Sequence, residues 1–116
     1  VLGVAAGYVG TLGAGRTGAV AGGALTTPDC VSMHRLLRRL ADAGARAVAA
    51  EVSSHALDQG RLDGVRTPVV AFTNLSRDHL DYHGTLERYG AAKARLFERG
   101  AGTAVINVGD AFGRRL

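Results

Sequence analysis

The chain is short of the residues that staple, anchor or fill a protein. It has 1 cysteine, 2 prolines, 1 methionine, 3 tyrosines, 3 phenylalanines and no tryptophan among 116 residues. A lone Cys30 cannot close an internal disulfide, which fits a reducing compartment. No segment offers the roughly 18 apolar residues that a membrane span needs. No charged stretch leads into an apolar one at the start, so the first residues do not read as a signal peptide. A start on Val1 rather than Met, and an end at Leu116 just after a turn, point to a fragment. Lysine is scarcest of the charged residues: Lys93 is the single one in a Lys and Arg total of 14.

What is present is apolar and small. The chain is 47% hydrophobic and 21% charged, as in soluble globular proteins, but 17 glycines and many alanines imply close, backbone-rich packing. The net charge of +4 admits anionic ligands. The arginines are spread and no aromatics interleave with them, so the charge does not favour nucleic acid. The length suits one domain or part of one, with no internal boundary or repeat over residues 1–116.

Residues 1–6 form a short apolar run of strand character. Residues 7–25 are glycine-rich and read as loops around short strands. Thr27 can cap a following helix, Pro28 suits its first position, and Asp29 faces its positive end. Met33, Leu36, Leu37 and Leu40 then make one helical stripe, and Gly44 ends it. Residues 46–52 lack alternation, as in a strand buried on both faces. Residues 53–60 suggest a short helical turn ending at Gly60. Residues 69–73 form another buried strand, Thr85 opens a helix with Leu86, Tyr89, Leu96 and Phe97 on its apolar face, and residues 103–107 form the last strand. This order predicts an α/β fold, a mostly parallel sheet with flanking helices.

In such sheets, sites form at the carboxyl ends of strands. Glu51 ends one predicted strand; Asn74 and the Asp78–His79 pair follow the next, so both loops are expected on one sheet edge. A carboxylate and an imidazole there could hold a divalent cation. Magnesium prefers oxygen ligands beside phosphates, while imidazole more often serves softer metals. The plainer reading, in which Glu51 caps the Ser53 or Ser54 amide and His79 fills a loop, outweighs the metal on this ground alone. Asp78, His79, Asp81 and His83 also have zinc-like spacing, without cysteines to close a structural site. Ser53, Ser54 and His55 invite a serine-nucleophile reading, but adjacent Ser and His side chains on one turn rarely form a catalytic pair. Gly10, Gly15, Arg16 and Thr17 match a phosphate-loop spacing with Arg in place of the needed Lys, and Gly13, Gly15 and Gly18 match a dinucleotide fingerprint. Both motifs must run into a helix, which Gly18, Gly22 and Gly23 oppose. Glycine-rich β-turns account for them better.

Longer stretches carry more. Leu25 to Asp29, Glu51 to Arg61, Phe72 to Gly84 and Tyr89 to Phe97 resemble, in order, the Mur ligases, nearest to the diamino-acid-adding (MurE) type. The resemblance covers most of the chain. It implies part of a P-loop-type central ATP-binding domain, the middle of three. It further implies a cytoplasmic, monomeric enzyme that adds meso-diaminopimelate to UDP-N-acetylmuramoyl-L-alanyl-D-glutamate in peptidoglycan synthesis, through an acyl phosphate made with ATP. By this resemblance Thr26, Thr27, Ser53, Gln59 and Arg61 bind the UDP-sugar peptide. Glu51 and His79 hold Mg2+, Lys93 is carbamylated and acts with His79 in catalysis, and Asn74 lies near the nucleotide. Three departures stand out. The phosphate loop with its Lys would lie before Val1, the C-terminal domain that selects the amino acid is missing, and Gly109 replaces the first of two usual acids. The isolated fragment is therefore expected to be inactive. A lysine-adding enzyme, another Mur or folylpolyglutamate ligase, and a non-catalytic remnant that binds the UDP-sugar peptide are the alternatives.

Overall fold

The computed structural model describes residues 3–116, which fall into two compact units divided between Asp63 and Gly64. The first holds β1 (Ala6–Gly10), β2 (Gly13–Arg16), β3 (Ala19–Ala21), α1 (Cys30–Asp42), β4 (Ala47–Ala50) and α2 (Ser54–Asp58). The second holds β5 (Val69–Phe72), α3 (Leu80–His83), α4 (Leu86–Glu98) and β6 (Thr103–Ile106).

The α/β class is observed, but the strands form two sheets rather than one. Sheet order is β3-β2-β1-β4 in the first unit and β5-β6 in the second. β1 pairs parallel with β4, and β5 with β6, each across a helical crossover. β1, β2 and β3 are antiparallel. The glycine-rich start thus forms β-turns, and neither a phosphate loop nor a dinucleotide motif. Gly13 shows why glycine is needed there: its φ is +113°, and a Cβ would overlap the Ala21 carbonyl. The strand expected over residues 1–6 begins later. Val1 and Leu2 lie outside the described residues, and β1 starts at Ala6 because Gly7 to Gly10 supply the backbone that pairs with β2 and β4.

α1 uses the expected stripe, with Met33 and Leu40 buried and Leu36 and Leu37 half-buried. Its cap is Asp29, whose carboxylate accepts from the Ser32 N–H at 3.0 Å, and not Thr27. Gly44, with φ +86°, ends it as expected. α4 is capped by Thr85, which accepts from the Arg88 N–H, and buries Tyr89, Gly90, Ala92 and Leu96. α3 was not foreseen, since four residues carry no periodicity to read.

Burial corrects two strands. β4 was expected to be covered on both faces, yet Ala47, Ala49 and Ala50 are exposed and Val48 is half-buried, and β4 is an edge strand with β1 as its one partner in this sheet. β5 alternates, burying Val70 and Phe72 and exposing Val69 and Ala71, so one face is covered. Among the described residues no helix is long and apolar enough to cross a membrane.

The core makes a clear stability contrast. Met33 is 1% exposed and Val31, two residues away on the same helix, is 58% exposed. Met33→Ala should cost about 2–5 kcal/mol of unfolding free energy, while Val31→Ala should stay within about 0.5 kcal/mol of the parent. Urea denaturation of the two variants measures both.

Candidate functional site

In the first unit the end of β4 is the centre. The parallel ladder continues past β4, with the Glu51 N–H donating to Val9 O at 2.8 Å. This sets Glu51 beside the end of β1. Its carboxylate does not cap the Ser53 or Ser54 amide. The Tyr8 hydroxyl donates to Oε1, and Thr11 donates to Oε2 through its N–H at 3.2 Å and its hydroxyl at 2.8 Å. The Tyr8 bond, then the two Thr11 bonds, hold the Glu51 carboxyl below its ordinary range, so it is ionised at neutral pH. The bond to Glu51, with burial second, pushes the Tyr8 phenol up.

Thr27 binds this corner to the next loop. Its side chain is 1% exposed, donates to Glu51 O at 2.9 Å and accepts from the Ser53 N–H at 3.0 Å. This double use is why Asp29, two residues on, caps α1 instead. The Ser53 hydroxyl in turn accepts from the Ala56 N–H and starts α2, which is a capping role and not a nucleophile's. Gly60, with φ +64°, ends the turn as expected. Arg61 follows and donates from Nη1 to Thr27 O at 2.8 Å, and from Nε and Nη2 to Gln59 Oε1 at 2.9 and 2.6 Å. The Thr26 hydroxyl lies 3.1 Å from that of Thr11. Thr26, Thr27, Glu51, Ser53, Gln59 and Arg61 are therefore one connected polar network.

In the second unit the organising group is the Tyr89 ring, 6% exposed on α4. His83 stacks on it at 5.3 Å between centroids, His79 meets it edge-on at 5.7 Å, and the Lys93 ammonium lies 5.1 Å from its centre. Burial pushes the Lys93 amine below its ordinary range, opposed by the Asp78 charge. His79 stands at the start of α3 with φ +53°, the one non-glycine residue with positive φ among those described. Histidine tolerates this region better than most residues, yet such geometry persists only where its surroundings enforce it. Asp78 helps, since its carboxylate accepts from the His79 N–H at 2.8 Å. The zinc-like run does not assemble: among the described residues no three His, Cys, Asp or Glu side chains are grouped to hold a metal, and His83 is spent against Tyr89.

Asn74 sits on the exposed segment after β5, which is tied to the segment after β6. Asn107 Nδ2 donates to Thr73 O at 2.7 Å, and Asp110 Oδ2 accepts from the Leu75 N–H at 3.1 Å. Asp110 Oδ1 also accepts from the N–H groups of Phe112 and Gly113. Gly109 stands where the first of two acids was expected, and its N–H donates to Asn107 Oδ1 at 3.0 Å.

Tyr8 and Thr11 escaped the reading of the sequence, and Tyr89 was read only as a core residue of its helix. Tyr89 left a further signal, four residues before Lys93 on that helix, where side chains meet. Tyr8 and Thr11 are 43 and 40 residues from Glu51, and no local pattern joins them.

The description of the Mur ligase middle domain matches residues 1–116. The chain is 58% identical over its whole length to a UDP-N-acetylmuramoyl-L-alanyl-D-glutamate–2,6-diaminopimelate ligase of Xanthomonas campestris pv. campestris. It is 60% identical, over 99% of its length, to the ligase of the same name from Xylella fastidiosa. It spans about a quarter of these curated relatives, 24% and 23%. A solved structure of a ligase of that name superposes on 97% of this chain, and 23% of its own, with a TM-score of 0.86 and 41% identity.

Two outcomes follow from the geometry. Thr27→Val removes the partner of the Glu51 carbonyl and of the Ser53 N–H, both in part-buried hydrogen bonds, and should cost on the order of 1 kcal/mol, with Thr27→Ser much milder; denaturant midpoints compare them. The Asp110 carboxyl is held below its ordinary range by the N–H groups of Leu75, Gly113 and Phe112. A depressed folded value means stability that is present above the unfolded range, near about 4, and lost as pH falls through the folded value. Asp110→Asn should thus be less stable than the parent at neutral pH, with the gap closing in acid, as followed by unfolding midpoints across pH.

Proposed function

The chain belongs to the Mur ligase middle-domain family, and from that premise we propose that it is part of an ATP-dependent ligase adding meso-diaminopimelate to UDP-N-acetylmuramoyl-L-alanyl-D-glutamate. The product would be a peptidoglycan precursor, made in the cytoplasm by a monomeric enzyme. The observation that carries the reading is the joint one. Relatives of 56–60% identity bear that ligase name, and the residues assigned to the UDP-sugar peptide form a single network around Thr27. One family description spans residues 1–116, which supports part of one central domain.

On this reading Arg61 is the anion-binding group. Gln59 and Thr27 O hold its guanidinium in one orientation, and a planar guanidinium pairs well with carboxylate or phosphate. Thr26 and Ser53 flank it on the same network. Asn74, whose neighbours Thr73 and Leu75 are held by Asn107 and Asp110, is assigned to the nucleotide side. Glu51 and His79 would hold Mg2+. The donor chemistry fits: Glu51 offers an ionised oxygen ligand, and magnesium keeps several waters and asks few ligands of the protein. When bound, the cation offsets charge between the anionic phosphates and the carboxylate to be activated.

Lys93 is proposed to be carbamylated. The step needs a neutral amine, whose lone pair attacks the carbon of CO2 while one proton is lost. Burial favours that neutral form, and the product is an anion that can support the cation site.

In the complete ligase, Glu51→Ala and His79→Ala should each remove turnover and leave the folded structure intact by circular dichroism. Normal turnover in either would sink the metal assignment. Lys93→Ala should also be inactive and regain activity with added short carboxylates, a rescue that an inert structural lysine would not show.

A further inference from the structure

The Tyr8–Glu51 contact has a geometry that the network's other bonds do not explain. β1 and β4 are in parallel register, Tyr8 opposite Ala49 and Val9 opposite Ala50. The next residues, Gly10 and Glu51, close the ladder. The Tyr8 side chain lies along this edge and brings its hydroxyl to Glu51 Oε1. It passes over Gly10, where a Cβ would lie 2.6 Å from Oε1 and overlap the Tyr8 hydroxyl. The bond therefore requires glycine between the two groups. The carboxylate oxygens are used unequally: Oε2 takes two donors from Thr11, while Oε1 takes the one from Tyr8. Each carboxylate oxygen has about two acceptor sites. Among the described residues the sites of Oε2 are filled, and Oε1 keeps one.

We propose that Tyr8 is a positioning residue which, with Thr11, fixes Glu51 as a single-oxygen ligand that offers the remaining site of Oε1 to a divalent cation. The inference rests on the metal role given to Glu51 above. Carboxylates that bind metals are themselves held by hydrogen bonds, and removing that support typically weakens metal binding by about 10–100-fold. Three donors fix the rotation of the carboxylate, and Oε1 would be the oxygen that it presents to a cation. Arranged this way, the phenol is a support and not a ligand.

The test is direct Mn2+ binding to the complete ligase, read as free Mn2+ by electron paramagnetic resonance, with thermal midpoints as the folding control. Tyr8→Phe removes one oxygen from a half-buried side chain, and should weaken Mn2+ binding about tenfold with little change in midpoint. Thr11→Val should weaken it similarly, and Thr11→Ser should restore it. Gly10→Ala, which parts Tyr8 from Glu51 without removing either, should match Tyr8→Phe. Glu51→Gln and His79→Ala separate the two levels of the argument. If both leave Mn2+ binding unchanged, the metal assignment fails and this proposal with it. If they abolish binding while Tyr8→Phe and Gly10→Ala bind as the parent does, the positioning role alone is overturned. A fall in thermal midpoint at unchanged affinity has the same meaning, since it makes Tyr8 a structural residue only.

Discussion

A single buried hydroxyl organises the first unit. Thr27 joins Glu51 O to the Ser53 N–H, and it does so from a position with almost no solvent access. Both bonds are part-buried, so each partner lost from solvent contact is replaced by this one hydroxyl. From this lock the rest follows in order. Asp29 takes over as cap of α1, Ser53 is freed to cap α2, and the Thr27 carbonyl is left pointing at Arg61. The residues that the proposed function needs are thus spaced by backbone hydrogen bonds rather than by packed side chains. That suits a chain so poor in large apolar residues.

The second unit solves the same problem with a ring. Tyr89 is the surface on which His79, His83 and Lys93 are arranged, by edge, face and cation contacts. The arrangement tolerates a left-handed His79 because Asp78 satisfies its N–H and the ring limits where the imidazole can go. Each unit thus gathers its polar chemistry about one buried anchor, Thr27 in one and Tyr89 in the other. The first supplies an ionised carboxylate and a guanidinium, and the second an imidazole and an amine whose charged form burial disfavours.

How much of this was legible depended on range. α1 and α4 were read from stripes that lie within the helices themselves, and Met33, Leu40, Tyr89 and Leu96 are buried as the period requires. The turn character of the glycine-rich start was read from Gly18, Gly22 and Gly23, which no helix would favour. The cap of α1 was misread because Thr27 and Asp29 are both good caps; the deciding partner, Glu51 O, is 24 residues away. The burial of β4 was misread because an unbroken apolar run looks alike in a central strand and in an edge strand. Separate sheets were out of reach, since strand order says nothing of which parallel pairs join. The site residues in Glu51 to Arg61 came from the resemblance, while their network, and the part of Tyr8 and Thr11 in it, needed the register of β1 on β4.

The scarcity of lysine acquires a meaning here. In a chain with 14 Lys and Arg residues, the one lysine is half-buried against an aromatic ring. Arginine would satisfy the same cation–ring contact, and would stack better. It could not, however, give up its proton, because its pKa is beyond about 12. Burial penalises the ammonium of Lys93, and only a group able to respond by losing its charge relieves that penalty. A structural cation at this position would be better served by arginine, the residue the chain uses everywhere else. Lysine at position 93 thus keeps open a neutral amine that arginine would not offer, which is the form that the carbamylation proposed above requires.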